Sequence, residues 1–267
     1  MTLPAADTSL APATRRKPRK AQRILTRLRQ ELRVLGLKFW QPDFVETHGV
    51  KLWLGAPMLR KGHRRQILRD QYEEAEIGVL DGTLGRDDIV LELGAGIGLV
   101  SVFCAKRVKD AAQVHVFEAN PNLQDALRRN FALNGVSPDL HALAAAKQAG
   151  EVTFNVDPSY TSSGLHGRPG EATQRVQVPA AGFEELVERF RPTYLIMDIE
   201  GGEIELLPGA KMGSIRKICL EVHPEIVGDK PISDLVAGLI DAGFTLHFSR
   251  TRKNVVYFER TAAEAGQ

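Results

Sequence analysis

From residue 81 onwards, the chain alternates short apolar runs with segments of helical periodicity. The apolar runs predict strands at Ile89–Leu93, Val114–Glu118, Tyr194–Met197 and Ile218–Val222, and the helical segments are Leu99–Arg107, Leu123–Asn134, Phe183–Phe190 and Ile232–Ala242. Strands that are apolar throughout are typical of parallel sheets covered by helices on both faces. Val152–Val156 is expected to extend this sheet, and Phe244–Ser249 and Asn254–Glu259 to close it as an antiparallel hairpin. The pattern therefore predicts an α/β domain with a mostly parallel sheet.

The segment before residue 81 has a different character. Residues 1–20 are rich in Ala, Pro and Thr and then basic, which predicts a disordered tail. Residues 21–39 carry apolar residues at three- and four-residue steps with arginines between them, which predicts a basic amphipathic helix. A strand at Gly49–Trp53 and a helix at Gln66–Leu80 complete an extension over residues 21–80. The predicted domain then covers residues 81–260 and a short tail covers 261–267.

The net charge is small but unevenly distributed. The sequence has 35 Lys and Arg against 33 Asp and Glu, a net charge of +2. Residues 15–38 hold ten of the basic residues and one of the acidic ones, which leaves 25 basic and 32 acidic residues elsewhere, or −7. An acidic body argues against a nucleic-acid partner. The basic helix could make weak contact with a membrane surface, but packing on the domain with solvated arginines is the favoured alternative.

Nothing in the sequence predicts a secreted or membrane-spanning protein. Cys104 and Cys219 are far apart and lack the paired spacing of a disulfide framework or a zinc site. No apolar stretch approaches the roughly 20 residues that a helix needs to span a bilayer. The N-terminus also lacks the apolar core of a secretory signal. We therefore expect a cytoplasmic protein with two buried thiols.

A glycine-rich turn follows the first predicted core strand. In the segment Leu91–Gly98, glycines at positions 94, 96 and 98 stand between a strand and a helix. In parallel α/β sheets a nucleotide-containing cofactor binds at such a turn. Glu118 ends the next strand, where a carboxylate can accept both hydroxyl protons of an adenosine ribose. The spacing predicts an adenosine-containing cofactor.

Two classes of cofactor use this geometry. A dinucleotide turn requires Gly-x-Gly-x-x-Gly or Ala, but the sixth residue from Gly94 is Leu99. Glu92 stands two residues before the first glycine, where its charge would oppose a pyrophosphate and favour a cation. The sequence therefore favours S-adenosylmethionine, whose sulfonium is positively charged, over NAD.

Two later segments indicate which protein family the chain resembles. Asp198–Leu207 reads DIEGGEIELL after the predicted strand at Tyr194–Met197, and Glu221–Glu225 reads EVHPE after the next one. They resemble the FkbM family of class I S-adenosylmethionine-dependent methyltransferases over roughly residues 70–227. The resemblance implies a Rossmann-like methyltransferase fold. It also implies O-methylation of a hydroxyl on a sugar, a glycan or a small-molecule biosynthetic intermediate.

The cofactor contacts expected from the motif and the resemblance come from two strand ends and one later segment. They are Glu92, Gly94, Ala95, Gly96 and Gly98 at the first, Glu118, Ala119 and Asn120 at the second, and Ala142 and Leu143 beyond them. The chain departs from the family at Ala144 and Ala145, where polar residues are common. The adenine is therefore expected to be held by backbone groups and apolar walls.

Three residues are candidates for the chemistry. Activation of a hydroxyl nucleophile calls for a nearby base. His223 is suited to this by its intrinsic pKa, and Asp198 and Glu200 could orient it, accept the proton themselves or bind sugar hydroxyls. Their clustering would also allow a divalent metal, but a hydrogen-bonded ionic cluster without metal is the favoured alternative. The loop from Pro158 to His166 reads equally well as a substrate lid or a solvated surface loop.

Two other functions remain as alternatives. One is a nucleotide-binding module of the same fold that has lost its activity, against which the presence of Glu92, Glu118, Asp198 and His223 argues. The other, less favoured, is a nucleic-acid methyltransferase that uses the basic arm. The acceptor and the oligomeric state cannot be predicted from the sequence.

Removal of residues 1–20 is expected to leave folding and cofactor binding unchanged, because this segment has no hydrophobic periodicity. Thermal unfolding and calorimetry of the truncated chain against the full chain measure both properties. A truncated chain that melts well below the full chain would contradict the prediction of a disordered tail.

Overall fold

A computed structural model describes residues 28, 30–36, 42–157, 164 and 174–261. The chain divides into two compact units, residues 1–41 and residues 42–267. In the first unit, residues 28 and 30–36 are helical, within the helix predicted at 21–39. The predicted tail at 1–20 lies outside the described residues. No described helix is long and apolar enough to cross a bilayer.

The second unit contains the strands and helices that build the site. Its described strands are β1 (Phe44–Thr47), β2 (Val50–Trp53), β3 (Val90–Leu93), β4 (Val114–Phe117), β5 (Asp139–His141), β6 (Ala144–Ala146), β7 (Gly150–Val156), β8 (Gln174–Gly182), β9 (Tyr194–Met197), β10 (Lys217–Glu221), β11 (Thr245–Leu246) and β12 (Val255–Glu259). Its described α-helices are α1 (Lys61–Leu68), α2 (Glu74–Leu80), α3 (Leu99–Ala105), α4 (Gln124–Asn134), α5 (Phe183–Phe190), α6 (Glu203–Leu206), α7 (Pro224–Val227) and α8 (Asp229–Asp241).

Seven strands form the main sheet, in the spatial order β11-β12-β10-β9-β3-β4-β5. All neighbours are parallel except at β12, which pairs antiparallel with both β10 and β11. Leu93 at the end of β3 pairs with Phe117 on one side and with Met197 on the other, so the carboxyl ends of the central strands are level. This topology confirms the predicted Rossmann-like methyltransferase fold with its C-terminal antiparallel hairpin.

Burial on both faces explains why the central strands are apolar. Every residue of β3 and β9 is buried, and so is every residue of α3, which begins directly after the glycine turn. Phe183 and Leu186 of α5 belong to a large apolar cluster together with Leu239 of α8. Cys104 and Cys219 are buried free thiols, as expected. The sheet is thus a rigid platform, and its carboxyl edge carries the polar residues.

The prediction that residues 152–156 extend the main sheet is wrong. β7 belongs to a second sheet of order β6-β8-β7, in which it pairs antiparallel with β8. Its partner was missed because β8 alternates exposed with buried positions and contains Pro179, so it lacks the unbroken apolar run of the central strands. The apolar side chains of this sheet, including Phe154 and Val178, form a separate small cluster.

The predicted single helix at 66–80 is two helices, α1 and α2. Between them Asp70 and Glu73 adopt left-handed conformations, with φ of 56° and 48°. Local periodicity did not reveal this break, because both flanking segments have helical patterns. The break places the start of α2 against the carboxyl edge of the main sheet, where Tyr72 and Glu73 reach the cavity described below.

Gly94→Ala should destabilise the protein by more than the cost of placing an alanine in a left-handed backbone conformation. A Cβ on Gly94 would lie 1.8 Å from the carbonyl oxygen of Asp198, and φ is 85°. Gly135 is the control, because its φ is 63° but nothing lies within 4 Å of the added Cβ. Gly135→Ala should cost about 1 kcal/mol of unfolding free energy and Gly94→Ala more than about 2 kcal/mol. Equal losses in denaturant titrations would contradict the close approach of the two loops.

Candidate functional site

The carboxyl ends of β3, β4, β9 and β10 open into one cavity of about 370 Å³. Gly94 and Gly96 line it after β3, Glu118 after β4, Asp198 after β9 and His223 after β10. The loops are tied together by the backbone, since Gly94 N–H donates to the Phe117 carbonyl (2.9 Å) and Asp198 N–H to the Leu93 carbonyl (3.0 Å). The level strand ends therefore bring four separated segments of sequence to one place.

Glu118 is held in the cavity by two backbone hydrogen bonds. Its Oε2 accepts from Gly96 N–H at 2.8 Å and its Oε1 from Asn120 N–H at 2.7 Å. Burial raises the pKa of Glu118 to about 7, and these two N–H groups oppose the rise. Each carboxylate oxygen keeps a second lone pair, so the group can still accept hydrogen bonds from a ligand.

Half of the predicted cofactor residues line this cavity. Those that do are Gly94, Gly96, Glu118, Ala119 and Leu143. The described lining does not include Glu92, Ala95, Gly98, Asn120 or Ala142. Gly98 instead begins α3 with a φ of 85°, and its added Cβ would lie 2.8 Å from Leu127. Asn120 caps the turn after β4 by accepting from Asn122 N–H (3.0 Å), and Ala142 is exposed.

Glu92 lies behind the glycine turn. It is 2% exposed and faces a void of about 20 Å³ shared with Glu73, Glu76, Asp198 and Glu221. Burial raises the pKa of Glu92 to about 8, and the hydroxyl and N–H of Ser101 partly oppose this. Among the described residues, Glu92 therefore lines this small void and not the large cavity.

His223 lies between three carboxylates. Its Nε2 is 3.3 Å from Asp198 Oδ1 and 3.7 Å from Glu200 Oε2, and its Nδ1 is 3.3 Å from Glu203 Oε1. The carboxylates outweigh the effect of burial, which alone would lower the value, and raise the pKa of His223 to about 9. The ring is therefore an imidazolium at neutral pH. The three candidate catalytic residues Asp198, Glu200 and His223 thus lie close together.

The three carboxylates around His223 differ in access. The side chain of Asp198 is 37% exposed, whereas those of Glu200 and Glu203 are 14% and 0% exposed. Glu203 accepts from Ile199 N–H at 3.1 Å and so fixes the loop after β9. Glu200 takes a left-handed conformation with φ of 54°. Asp198 is thus the member of the cluster most open to a substrate.

Sequence reasoning missed a second group of acids from the N-terminal extension. Glu73 and Glu76 of the segment that begins α2 line the cavity together with Glu221 at the end of β10. Burial and then the charge of Asp198 raise the pKa of Glu221 to about 11, and a hydrogen bond with Glu76 adds to this. Glu221 stands in the EVHPE segment and could have been singled out there. Glu73 and Glu76 gave no comparable signal.

The cavity is strongly acidic. Eight of its described lining residues carry carboxyl groups: Glu73, Glu74, Glu76, Glu118, Asp198, Glu200, Glu221 and Glu225. Lys253 and His223 are the only basic residues in that described lining. Such a lining repels phosphates and favours cations. The predicted lid at 158–166 lies outside the described residues except for Gly164, whose N–H and carbonyl pair with Asn155.

A family model described as the methyltransferase FkbM domain matches residues 92–246. The chain is similar to the solved structure of precorrin-6y C5,15-methyltransferase from Geobacter metallireducens GS-15, with 14% identity, coverage of 70% of this chain and 85% of that one, and a TM-score of 0.40. It is also similar to M. jannaschii TYW2 in complex with AdoMet, with 17% identity, coverage of 83% and 89%, and a TM-score of 0.40. No curated protein matches the chain.

Glu221→Gln should stabilise the protein above neutral pH. The folded state holds a proton on Glu221 up to a pKa of about 11, whereas the unfolded chain releases it near its ordinary value of 4.5. Retaining the proton costs stability increasingly as pH rises above that ordinary value. The neutral amide removes this cost, so the unfolding free energy at pH 8 should rise by at least about 1 kcal/mol, with a smaller gain at pH 5.

Glu225→Gln is the matched control, because Glu225 is an exposed acid at the same strand end. Its unfolding free energy should stay within about 0.5 kcal/mol of the parent at both pH values. Destabilisation by Glu221→Gln at pH 8 would show that the carboxyl is ionised in the folded protein.

Proposed function

This chain belongs to the methyltransferase FkbM family, and we propose that it transfers the methyl group of S-adenosylmethionine to a hydroxyl of a sugar, a glycan or another small biosynthetic intermediate. The observation that carries the proposal is the carboxylate of Glu118, buried beside the glycine turn in the acidic cavity.

The ribose of the cofactor fits Glu118. The carboxylate is oriented by Gly96 and Asn120, and the free lone pairs of its two oxygens can accept from two neighbouring hydroxyls. A side chain at Gly96 would crowd this place, since an added Cβ would lie 3.2 Å from the hydroxyl of Tyr72. Phe117, Leu123 and Leu143 line the cavity nearby and suit the faces of an adenine ring. The residues present therefore fit an adenosine.

The positive charge of the cofactor fits the acids of the cavity. S-adenosylmethionine supplies an electrophilic methyl group on a positively charged sulfur. Glu73, Glu76 and Glu221 lie around the strand ends with few cations among the described residues. A bound cation would stabilise their ionised forms, because opposite charges at short range lower a carboxyl pKa. A dinucleotide would instead bring two further negative charges into the same space.

We assign the proton acceptor to Asp198. Burial raises the pKa of Asp198, and the adjacent His223 imidazolium opposes the rise and so favours the ionised form, which can accept a proton. His223 is itself protonated at neutral pH and only 6% exposed, so it serves better to hold the carboxylates in place. Carboxylate oxygens also accept hydrogen bonds from the hydroxyls of a sugar, which supports an oxygen acceptor over a phosphate-bearing nucleic acid.

Glu118→Ala should weaken binding of S-adenosylmethionine by more than about tenfold, because it removes the charged acceptor of the ribose hydroxyls. Calorimetry with S-adenosylmethionine and with NAD measures this. The parent chain should bind the former and not the latter. Binding of NAD without binding of S-adenosylmethionine would overturn the cofactor assignment.

Asp198→Asn should lower methyl transfer by about 100-fold or more and leave the affinity for S-adenosylmethionine within a few-fold of the parent. Radiolabelled S-adenosylmethionine, offered with a panel of sugars, glycans and small hydroxylated metabolites, provides the assay. Glu205→Gln is the control, because Glu205 is an exposed acid on α6. An unimpaired rate in Asp198→Asn would move the base to Glu200 or His223, and transfer only to amines would contradict an oxygen acceptor.

A further inference from the structure

A cluster of potential metal ligands lies at the β5 edge of the main sheet, outside the cavity. His115 of β4 pairs in register with Asp139 of β5, and His141 lies two residues further along β5. Neighbours in parallel strands, and residues two apart on one strand, project from the same face of a sheet. The strand register therefore brings two imidazoles and one carboxylate together on one face.

The three side chains already converge on one point. Asp139 Oδ2 lies 2.9 Å from His115 Nδ1 and 2.8 Å from His141 Nε2. One potential ligand atom from each residue lies within 4.8 Å of the others. Ligands of a tetrahedral zinc ion, at about 2.0–2.2 Å from the metal, stand roughly 3.3 Å apart. A small outward movement of the carboxylate would thus open space for an ion.

Aromatic packing holds both imidazole rings in this orientation. His141 stacks on Phe117 with ring centroids 4.4 Å apart, and His115 stacks on Phe190 of α5 at 4.0 Å. Rings fixed by packing lose little conformational freedom on binding a metal, which favours affinity. The side chain of Asp139 is 41% exposed, against 14% and 19% for the two histidines, so an ion could enter from solvent and retain a water ligand.

We propose that His115, Asp139 and His141 form a binding site for Zn²⁺ or a similar divalent transition metal. Two imidazoles and one carboxylate suit zinc, whereas Mg²⁺ and Ca²⁺ prefer oxygen ligands alone. Each ring would bind through the nitrogen that faces Asp139 and carry its proton on the other nitrogen. The ion would connect β4 to β5. Glu118 directly follows β4, and its N–H donates to the carbonyl of His141 on β5 at 3.1 Å. This proposal does not depend on the proposed methyl transfer.

The test uses the full chain, purified without a polyhistidine tag. A chelator removes bound metal and is then itself removed. Zn²⁺ binding is measured by calorimetry and Co²⁺ binding by visible absorption. We expect one strong site of micromolar or tighter affinity, a higher melting temperature with Zn²⁺ and no response to Mg²⁺. Asp139→Asn and His141→Gln should each weaken Zn²⁺ binding by more than about tenfold. Their melting temperatures in chelator show whether they remain folded.

Two further variants sharpen the test. His247→Gln is the matched control, because His247 also lies near a carboxylate, 3.9 Å from Glu259, but away from this cluster, and it should bind Zn²⁺ like the parent. Arg189→Gln should tighten binding, because the guanidinium of Arg189 lies 4.9 Å from the ring of Phe190, on which His115 stacks, and its positive charge repels an ion. No binding by the parent would overturn the proposal. So would parental affinity in both Asp139→Asn and His141→Gln, or loss of binding only in His223→Gln.

Discussion

The imidazolium of His223, enclosed by Asp198, Glu200 and Glu203, is the interaction on which the site depends. It joins the loop after β9 to the loop after β10, and it supplies a positive charge in a region where carboxyl groups are in large excess. Removing one partner of a buried ionic cluster leaves the others without compensation and is usually costly. Burial raises the pKa values of Glu92 and Glu221, and neighbouring carboxylates add to both shifts. Without a bound cation, the folded chain lowers its excess negative charge by retaining protons.

This electrostatic arrangement links the fold to the proposed function. The parallel register makes the ends of β3, β4, β9 and β10 level, and the close approach at Gly94 brings two of their loops into contact. The acids cannot spread apart, so their mutual repulsion is built into the cavity. A cationic cofactor relieves this repulsion, whereas a phosphate-bearing one increases it. The same acids offer oxygen atoms to the hydroxyls of an acceptor.

Local patterns in the sequence predicted the central elements well and the composition of the site in part. The helix at Phe183–Phe190 and the strand at Tyr194–Met197 agree with the structure at both ends, because each has a strong periodicity and clear boundaries. The glycine turn and Glu118 were found because strand, turn and acid follow one another closely. Glu73 and Glu76 could not be found, since their position depends on two left-handed residues and on packing against distant strands. The placement of Glu92 behind the turn likewise depends on which way one strand residue points.

The number of protons exchanged on binding tests whether the cavity is built for a cation. Calorimetry of S-adenosylmethionine binding at pH 7.5, in buffers of different ionisation enthalpy, measures this number. S-adenosylhomocysteine, whose sulfur is neutral, is the reference. We expect S-adenosylmethionine to release more protons from the protein than S-adenosylhomocysteine does, because the sulfonium lowers the pKa of the surrounding carboxyl groups. Equal proton exchange for the two ligands, or proton uptake with S-adenosylmethionine, would show that the cavity does not recognise the positive charge of the sulfonium.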